Sequence, residues 1–206
     1  MRANLAAFAL AAIMAAPLAA PSIALAAAPS HDVADLGGGT YAIDPKHASV
    51  VAKVSHLGVS IYTARFDTFD GSFTYDPAHP EAAHVQASVD AGSMDVGADY
   101  SSKFAEEFLV ASKFPKITFN STAVQRGAGN TGTMTGDLTL HGVTKPVTFN
   151  VTFVGAGKSP LPPFHTIAGF TATTSIKRSD FGSDFLNNGL VGDDVSLTIE
   201  AEFDRK

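Results

Sequence analysis

The 206-residue chain has no cysteine and no tryptophan, and its charged residues, 17% of the total, are spread thinly. Without cysteine there is no disulfide, no thiolate metal ligand and no cysteine for a lipoprotein anchor. Small exported domains often lean on disulfides, so this chain must hold itself together by packing alone. Its charge is acidic. Arg2 is the only charged residue among residues 1–28, and the remainder carries 13 Lys and Arg against 20 Asp and Glu, a net of −7. That balance argues against a nucleic-acid partner and against charge-driven docking on anionic lipid.

Catalytic and cofactor motifs are also missing. None of the seven histidines forms H-x-H or H-x-x-x-H, so no spaced metal-ligand set is present and no metal is expected. There is no G-x-S-x-G elbow. The adjacent carboxylate pairs Glu106-Glu107 and Asp193-Asp194 point apart on a helix or strand, whereas paired acid–base work needs a shared cleft. Gly127–Gly132 spells G-x-G-x-x-G. A strand follows it, however, and phosphate cradling needs a helix N-terminus there.

What is present begins with an export signal. Residues 1–28 hold an apolar run from Leu5 to Ala16 and small-residue triplets ending at Ala26 and Ala28. They read as a secretory signal peptide cleaved near one of those alanines. Residues 29–40, ending in three glycines and a threonine, read as a flexible lead-in. Fourteen of the fifteen phenylalanines lie beyond the signal. Phe carries apolar area without a polar handle, and composition leaves open whether it fills a core or lines a pocket.

From Tyr41 the pattern is almost wholly β. Val50, Ala52, Val54 and His56 alternate with Val51, Lys53 and Ser55. A parity slip between Phe66 and Phe69 predicts a bulge or bend, as in a curving barrel strand. Val85, Ala87, Val89 and Ala91 form another alternating set. The string GDLTLHGVTKPV (136–147) reads as a hairpin turning at His141-Gly142. GFTATTSIKRSDFG (169–182) is a strand closed by a turn. Val195, Leu197, Ile199, Ala201 and Phe203 share one face of the last strand. The exception is 98–113, where Phe104, Phe108 and Leu109 fall at helical spacing. The expected fold is an all-β antiparallel sandwich or barrel of about eight strands with one main helix.

The ordered landmarks YAIDPKHAS (41–49), KVSHLGVS (53–60), RFDTFDGSFTYDP (65–77), FPKITFNS (114–121), GDLTLHGVTKPV and GFTATTSIKRSDFG resemble those of the YceI family. The resemblance implies a lipocalin-like barrel over 41–206, exported to the periplasm, that holds an isoprenoid lipid. It also implies a link to envelope stress, because several members have one. The chain departs from the family pattern at Ala52, where an aromatic is usual. DYSSKFAEEF (99–108) lacks the usual Arg-Asp and His-Leu pairs.

A carrier of this kind needs an apolar lining. The one-face sets nominate Val54, Phe66, Phe104, Phe108, Phe119, Leu138, Leu140, Phe149, Phe170 and Ile176, although alternation does not say which face is inward. His56, Arg65 and Arg178 are candidates to meet a polar headgroup at the barrel mouth. Lys53 and Asp180 read as outward or turn-closing charges. The bound lipid, polyprenyl or quinone-like, would be the only ligand and no cofactor is implied. Transient membrane contact and a dimer both fit the pattern. Two rivals from other classes stand beside the carrier. One is a hydrolase or isomerase acting on an apolar substrate, with His47, His56 and His141 as first suspects. The other is an envelope interaction protein whose barrel is filled by its own side chains.

Overall fold

Period-two alternation gives each strand one apolar face, and burying those faces together curls the sheet into a cylinder. The computed structural model describes residues 28–97 and 99–206. The signal peptide expected over 1–28 lies, apart from its last residue, outside the described residues.

The barrel strands are β1 (Gly39–His56), β2 (Ser60–Phe66), β3 (Phe69–Tyr75), β4 (His84–Asp90), β6 (Lys116–Arg126), β7 (Thr131–Leu140), β8 (Val143–Lys158), β9 (Thr166–Lys177) and β10 (Val191–Arg205). A two-residue strand, β5 (Met94–Asp95), and one helix, α1 (Ser101–Leu109), complete the set of main elements. Strands β2 and β3 lie end to end along β1, so together they occupy one position. The sheet then runs β1, β2/β3, β4, β6, β7, β8, β9, β10, and β10 returns to pair with β1. Every pairing is antiparallel. The result is a closed, lipocalin-like barrel of eight strand positions.

The expected bend is real. β2 and β3 part at Asp67-Thr68, where Thr68 N–H donates to Ser93 Oγ at 3.0 Å and the Thr68 carbonyl accepts from Asp90 N–H at 2.8 Å. Opposite this corner β1 bulges between Ile43 and Ala48. The His141-Gly142 turn also forms as expected. Both residues have positive φ, 54° and 76°, as a two-residue hairpin loop between right-twisted strands requires.

Two expectations are corrected. The helix is shorter than 98–113, because Val110 adopts a left-handed conformation and its N–H caps the carbonyls of Ala105 and Glu106. Residues 29–40 are not a loose lead-in. Ser30 and Ala156 exchange two backbone hydrogen bonds of 2.8 Å, and Leu36 is 3% exposed within the core. Apolar area at the barrel end draws this segment in.

Two clusters fill the interior. One end is plugged by Tyr41 stacked on Phe73 at 4.6 Å, with Phe153, Phe170 and Phe203 around them. The other half holds Phe66, Phe119, Leu138, Leu140, Phe149 and the inner face of α1.

In the β1 bulge, His47 Nδ1–H donates to Asp44 Oδ2 at 2.7 Å, with Glu202 Oε1 at 3.9 Å. The hydrogen bond to Asp44 first, then the charges of Asp44 and Glu202, raise the His47 pKa. The hydrogen bond from His47, followed by one from the Lys46 N–H, lowers that of Asp44. A raised imidazole contributes fully below the ordinary histidine range and its contribution is lost as pH rises through the raised value. A lowered carboxylate contributes above the ordinary carboxylate range and is lost as pH falls through the lowered value. The clasp is therefore strongest between about pH 4 and 6.5. An NMR titration should find His47 above the usual histidine value, and Asp44→Asn should return it. An unchanged midpoint in the variant would refute the pairing.

Candidate functional site

The barrel does not fill the half beneath α1. A cavity of about 430 Å³ lies there, walled by Val50, Ala52 and Val54 of β1, Tyr62, Ala64 and Phe66 of β2, and inward residues of β4, β6, β7, β8, β9 and β10. Phe104, Phe108 and Leu109 of α1 close its side. The helix stands where β2 has lost its sheet neighbour, since β5 pairs only with Arg65 and Phe66. A second cavity of about 250 Å³ continues toward the aromatic plug and shares Val50, Phe119, Phe149 and Ile199 as walls. Phe119 and Phe149 meet edge to face at 5.2 Å between them. The lining is overwhelmingly apolar, so water gains little there and an apolar chain gains much.

The mouth is held by the turn Arg178–Phe181 and the loop that follows it. Arg178 is 4% exposed. Its Nε donates to the Gly192 carbonyl at 2.8 Å, Nη1 to those of Ser183 and Phe185 at 2.8 Å, and Nη2 to that of Val191 at 3.0 Å. Four of its five N–H groups thus bind the loop to the last strand. The guanidinium also lies over the Phe108 ring at 5.5 Å. Burial lowers its pKa, partly offset by the charges of Asp193 and Asp184. Asp193 accepts from Ser179 N–H at 2.9 Å and from its hydroxyl at 2.8 Å. Ser183 Oγ donates to the Phe108 carbonyl at 2.6 Å, joining the loop to the helix. His141 Nδ1–H donates to the Phe181 carbonyl at 3.1 Å, joining it to the β7–β8 hairpin.

Residues 41–203 match the YceI-like domain. The chain belongs to the YceI family. A UPF0312 protein of Pseudomonas putida (strain W619) is 45% identical over 168 residues, covering 79% of this chain and 84% of that protein. A UPF0312 protein of Vibrio cholerae serotype O1 (strain M66-2) is 42% identical over 146 residues, covering 69% and 76%. Among solved structures, BcnA of Burkholderia cenocepacia superposes with a TM-score of 0.69 at 25% identity, over 78% of this chain and 98% of that one. A polyisoprenoid binding domain from Saccharophagus degradans, implicated in plant cell wall breakdown, shares the fold with a TM-score of 0.62 at 17% identity, covering 81% and 98%.

In this YceI family member, nine of the ten nominated lining residues surround the larger cavity: Val54, Phe66, Phe104, Phe108, Phe119, Leu138, Leu140, Phe149 and Ile176. Phe170 lies instead in the second cavity, against the aromatic plug. His56 borders the larger cavity, and so does Arg178, whose donors are committed to carbonyls. Arg65 is a correction. It is on the outward face of β2, more than half exposed, 3.4 Å from Asp67, because inward parity belongs to Tyr62, Ala64 and Phe66. Of the three histidines considered for catalysis, His47 and His141 are outside the cavity lining. Asp180 closes a turn with Lys145 at 3.2 Å, as expected. Tyr62 and Tyr100 were not nominated, yet both border the cavity. Tyr62 was legible from its parity with Phe66, whereas Tyr100 precedes the helix and carries no such signal.

Replacing Arg178 strands four carbonyls at once. Arg178→Leu should lower stability by about 3 kcal/mol or more, read as a shift of the urea midpoint. A change below about 0.5 kcal/mol would show that the loop does not depend on it.

Proposed function

We propose that this YceI family member is a periplasmic carrier that holds one isoprenoid lipid, polyprenol- or quinone-like, with its tail in the barrel and no bond made or broken. The carrying observation is the apolar cavity of about 430 Å³, continued by a second of about 250 Å³. Its size falls in the range of small-molecule sites, which weighs against a barrel filled by its own side chains. The leader-like residues 1–28 support export. The Saccharophagus degradans neighbour is titled a polyisoprenoid binding domain, and at that identity it lends the fold alone. No cofactor takes part. Such a carrier could buffer lipids when the envelope is stressed.

The energetics suffice. A five-carbon prenyl unit contributes about 4 kcal/mol at most when buried. Three or four units exceed the several kcal/mol lost on association and leave sub-micromolar affinity. Ala52, in the wall of the cavity, gives room that an aromatic there would occupy.

Protein purified without refolding should release a stoichiometric prenyl lipid on solvent extraction, identified by mass spectrometry. Folded protein that yields none and takes up neither quinones nor polyprenols would overturn the proposal. Ala52→Phe should weaken long-tailed ligands about four-fold per methylene displaced while leaving the fold intact.

Exposed apolar side chains at the rim support a transient membrane contact. Leu57, Val59 and Ile61 on the β1–β2 hairpin, Tyr100 before α1 and Leu190 in the loop before β10 are all exposed, Val59 by 82%. Leu57 N–H donates to the Leu190 carbonyl at 2.9 Å, tying two of these segments together beside the mouth. Among the described residues, the remaining large exposed apolar side chains, Val154, Leu161 and Phe164, belong to β8 and the β8–β9 connection. Changing Leu57, Val59 and Ile61 to Ser should slow lipid uptake from neutral phosphatidylcholine vesicles while leaving the affinity for detergent-dispersed ligand unchanged. Equal uptake rates would exclude docking by this rim.

A further inference from the structure

The polar residues that border the larger cavity are His56, Tyr62, Tyr100, Thr118, Arg178 and Ser183. Two are already engaged. Ser183 donates to the Phe108 carbonyl, and Arg178 gives four N–H groups to loop carbonyls. The charges of Asp193 and Asp184 favour the charged form of this guanidinium, against its burial. The side chains of His56, Tyr62, Tyr100 and Thr118 make no hydrogen bond to the described residues, and none carries a fixed charge. Three of them form a contiguous set at the start of α1. The His56 and Tyr62 rings lie 6.1 Å apart, and Tyr62 and Tyr100 both pack on Phe104, at 6.5 and 5.0 Å. Burial, then the neighbouring Tyr100, raises the Tyr62 pKa, and a tyrosine phenol is a donor at neutral pH in any case.

Desolvating a phosphate or carboxylate without an opposing charge is costly, and a guanidinium with four of its five N–H groups already given to carbonyls has one left to offer it. A hydroxyl or carbonyl group needs only one or two hydrogen bonds to replace its water. We infer that the ligand's head is uncharged, a hydroxyl or carbonyl group hydrogen-bonded by Tyr62 and Tyr100 at the cavity mouth, and that phosphorylated isoprenoids are excluded. The inference rests on the carrier proposal and narrows its ligand class.

The test uses two probes with one tail. Delipidated protein is titrated with geranylgeraniol and with geranylgeranyl diphosphate, by calorimetry. The alcohol should bind at least about ten-fold more tightly. Equal binding, or tighter binding of the diphosphate, overturns the inference and leaves the carrier proposal standing. Failure of both probes overturns this inference, and the solvent extraction with quinone and polyprenol loading then decides whether the carrier proposal falls as well. The double variant Tyr62→Phe, Tyr100→Phe should bind the alcohol about 3- to 10-fold more weakly while retaining affinity for the hydrocarbon analogue of the same tail. Undiminished alcohol binding would overturn the role given to the two tyrosines. Equal losses for alcohol and hydrocarbon would mark them as packing residues and overturn it too.

Discussion

Closure of the sheet between β1 and β10 is the constraint on which everything else depends. The ladder pairs Tyr41 with Arg205 at one end and His56 with Val191 at the other. It removes both free edges of the barrel, which would otherwise invite pairing with other chains. It also fixes which face of every strand is inside. Once Val50, Ala52 and Val54 face inward, Leu197 and Ile199 must face them, and the alternation of each later strand follows from its neighbour. With no disulfide in the chain, the hydrogen-bonded ring and the aromatic plug at one end carry the stability that cross-links supply in disulfide-rich domains.

The cavity exists because the ring is packed unevenly. In the plug the five rings of Tyr41, Phe73, Phe153, Phe170 and Phe203 meet in stacked and edge-to-face pairs and leave the smaller cavity of about 250 Å³ beside them. Above Phe119 and Phe149 the walls carry smaller residues: Val50, Ala52, Ala64, Ala87 and Val89. These are too short to meet across a barrel of this width. α1 supplies the missing wall where β2 runs out of strand partners, and a helix can do so only if something holds its C-terminal end down. Ser183 and Arg178 do that, one through a hydrogen bond to the Phe108 carbonyl and the other through its ring contact with Phe108.

The RSDFG string near the end of β9 shows how a motif can be read rightly and interpreted too narrowly. As a sequence it offers an arginine beside an apolar strand, a candidate to meet a polar headgroup. In the fold the arginine is the hub of a loop. Phe181 is buried at 2% exposure, Gly182 takes the left-handed φ of 74° that ends the turn, and Asp193 caps Ser179. The motif's chemistry is directed at the protein's own backbone, and the cavity it helps to wall is bordered by Tyr62 of β2 and by Tyr100 just before α1.

The amino-acid sequence by itself determined the β character of the chain, the parity of the strands and the presence of one helix, though not where that helix begins and ends. It located the bend after Phe66, the turn at His141-Gly142 and the helical spacing of Phe104 and Phe108, because each depends on neighbours within a few residues. It also singled out nine side chains that line the larger cavity, since residues on one apolar face stay together whichever way the sheet curls. Tertiary structure alone decided that this face is inward, that Phe170 joins the plug and that Arg65 points to solvent. It alone drew residues 29–40 into the barrel end, committed the donors of Arg178 to carbonyls and brought Tyr100 to Tyr62. Those outcomes depend on the register between strands far apart in the chain and on the volume left when the ring closes, and local pattern contains neither.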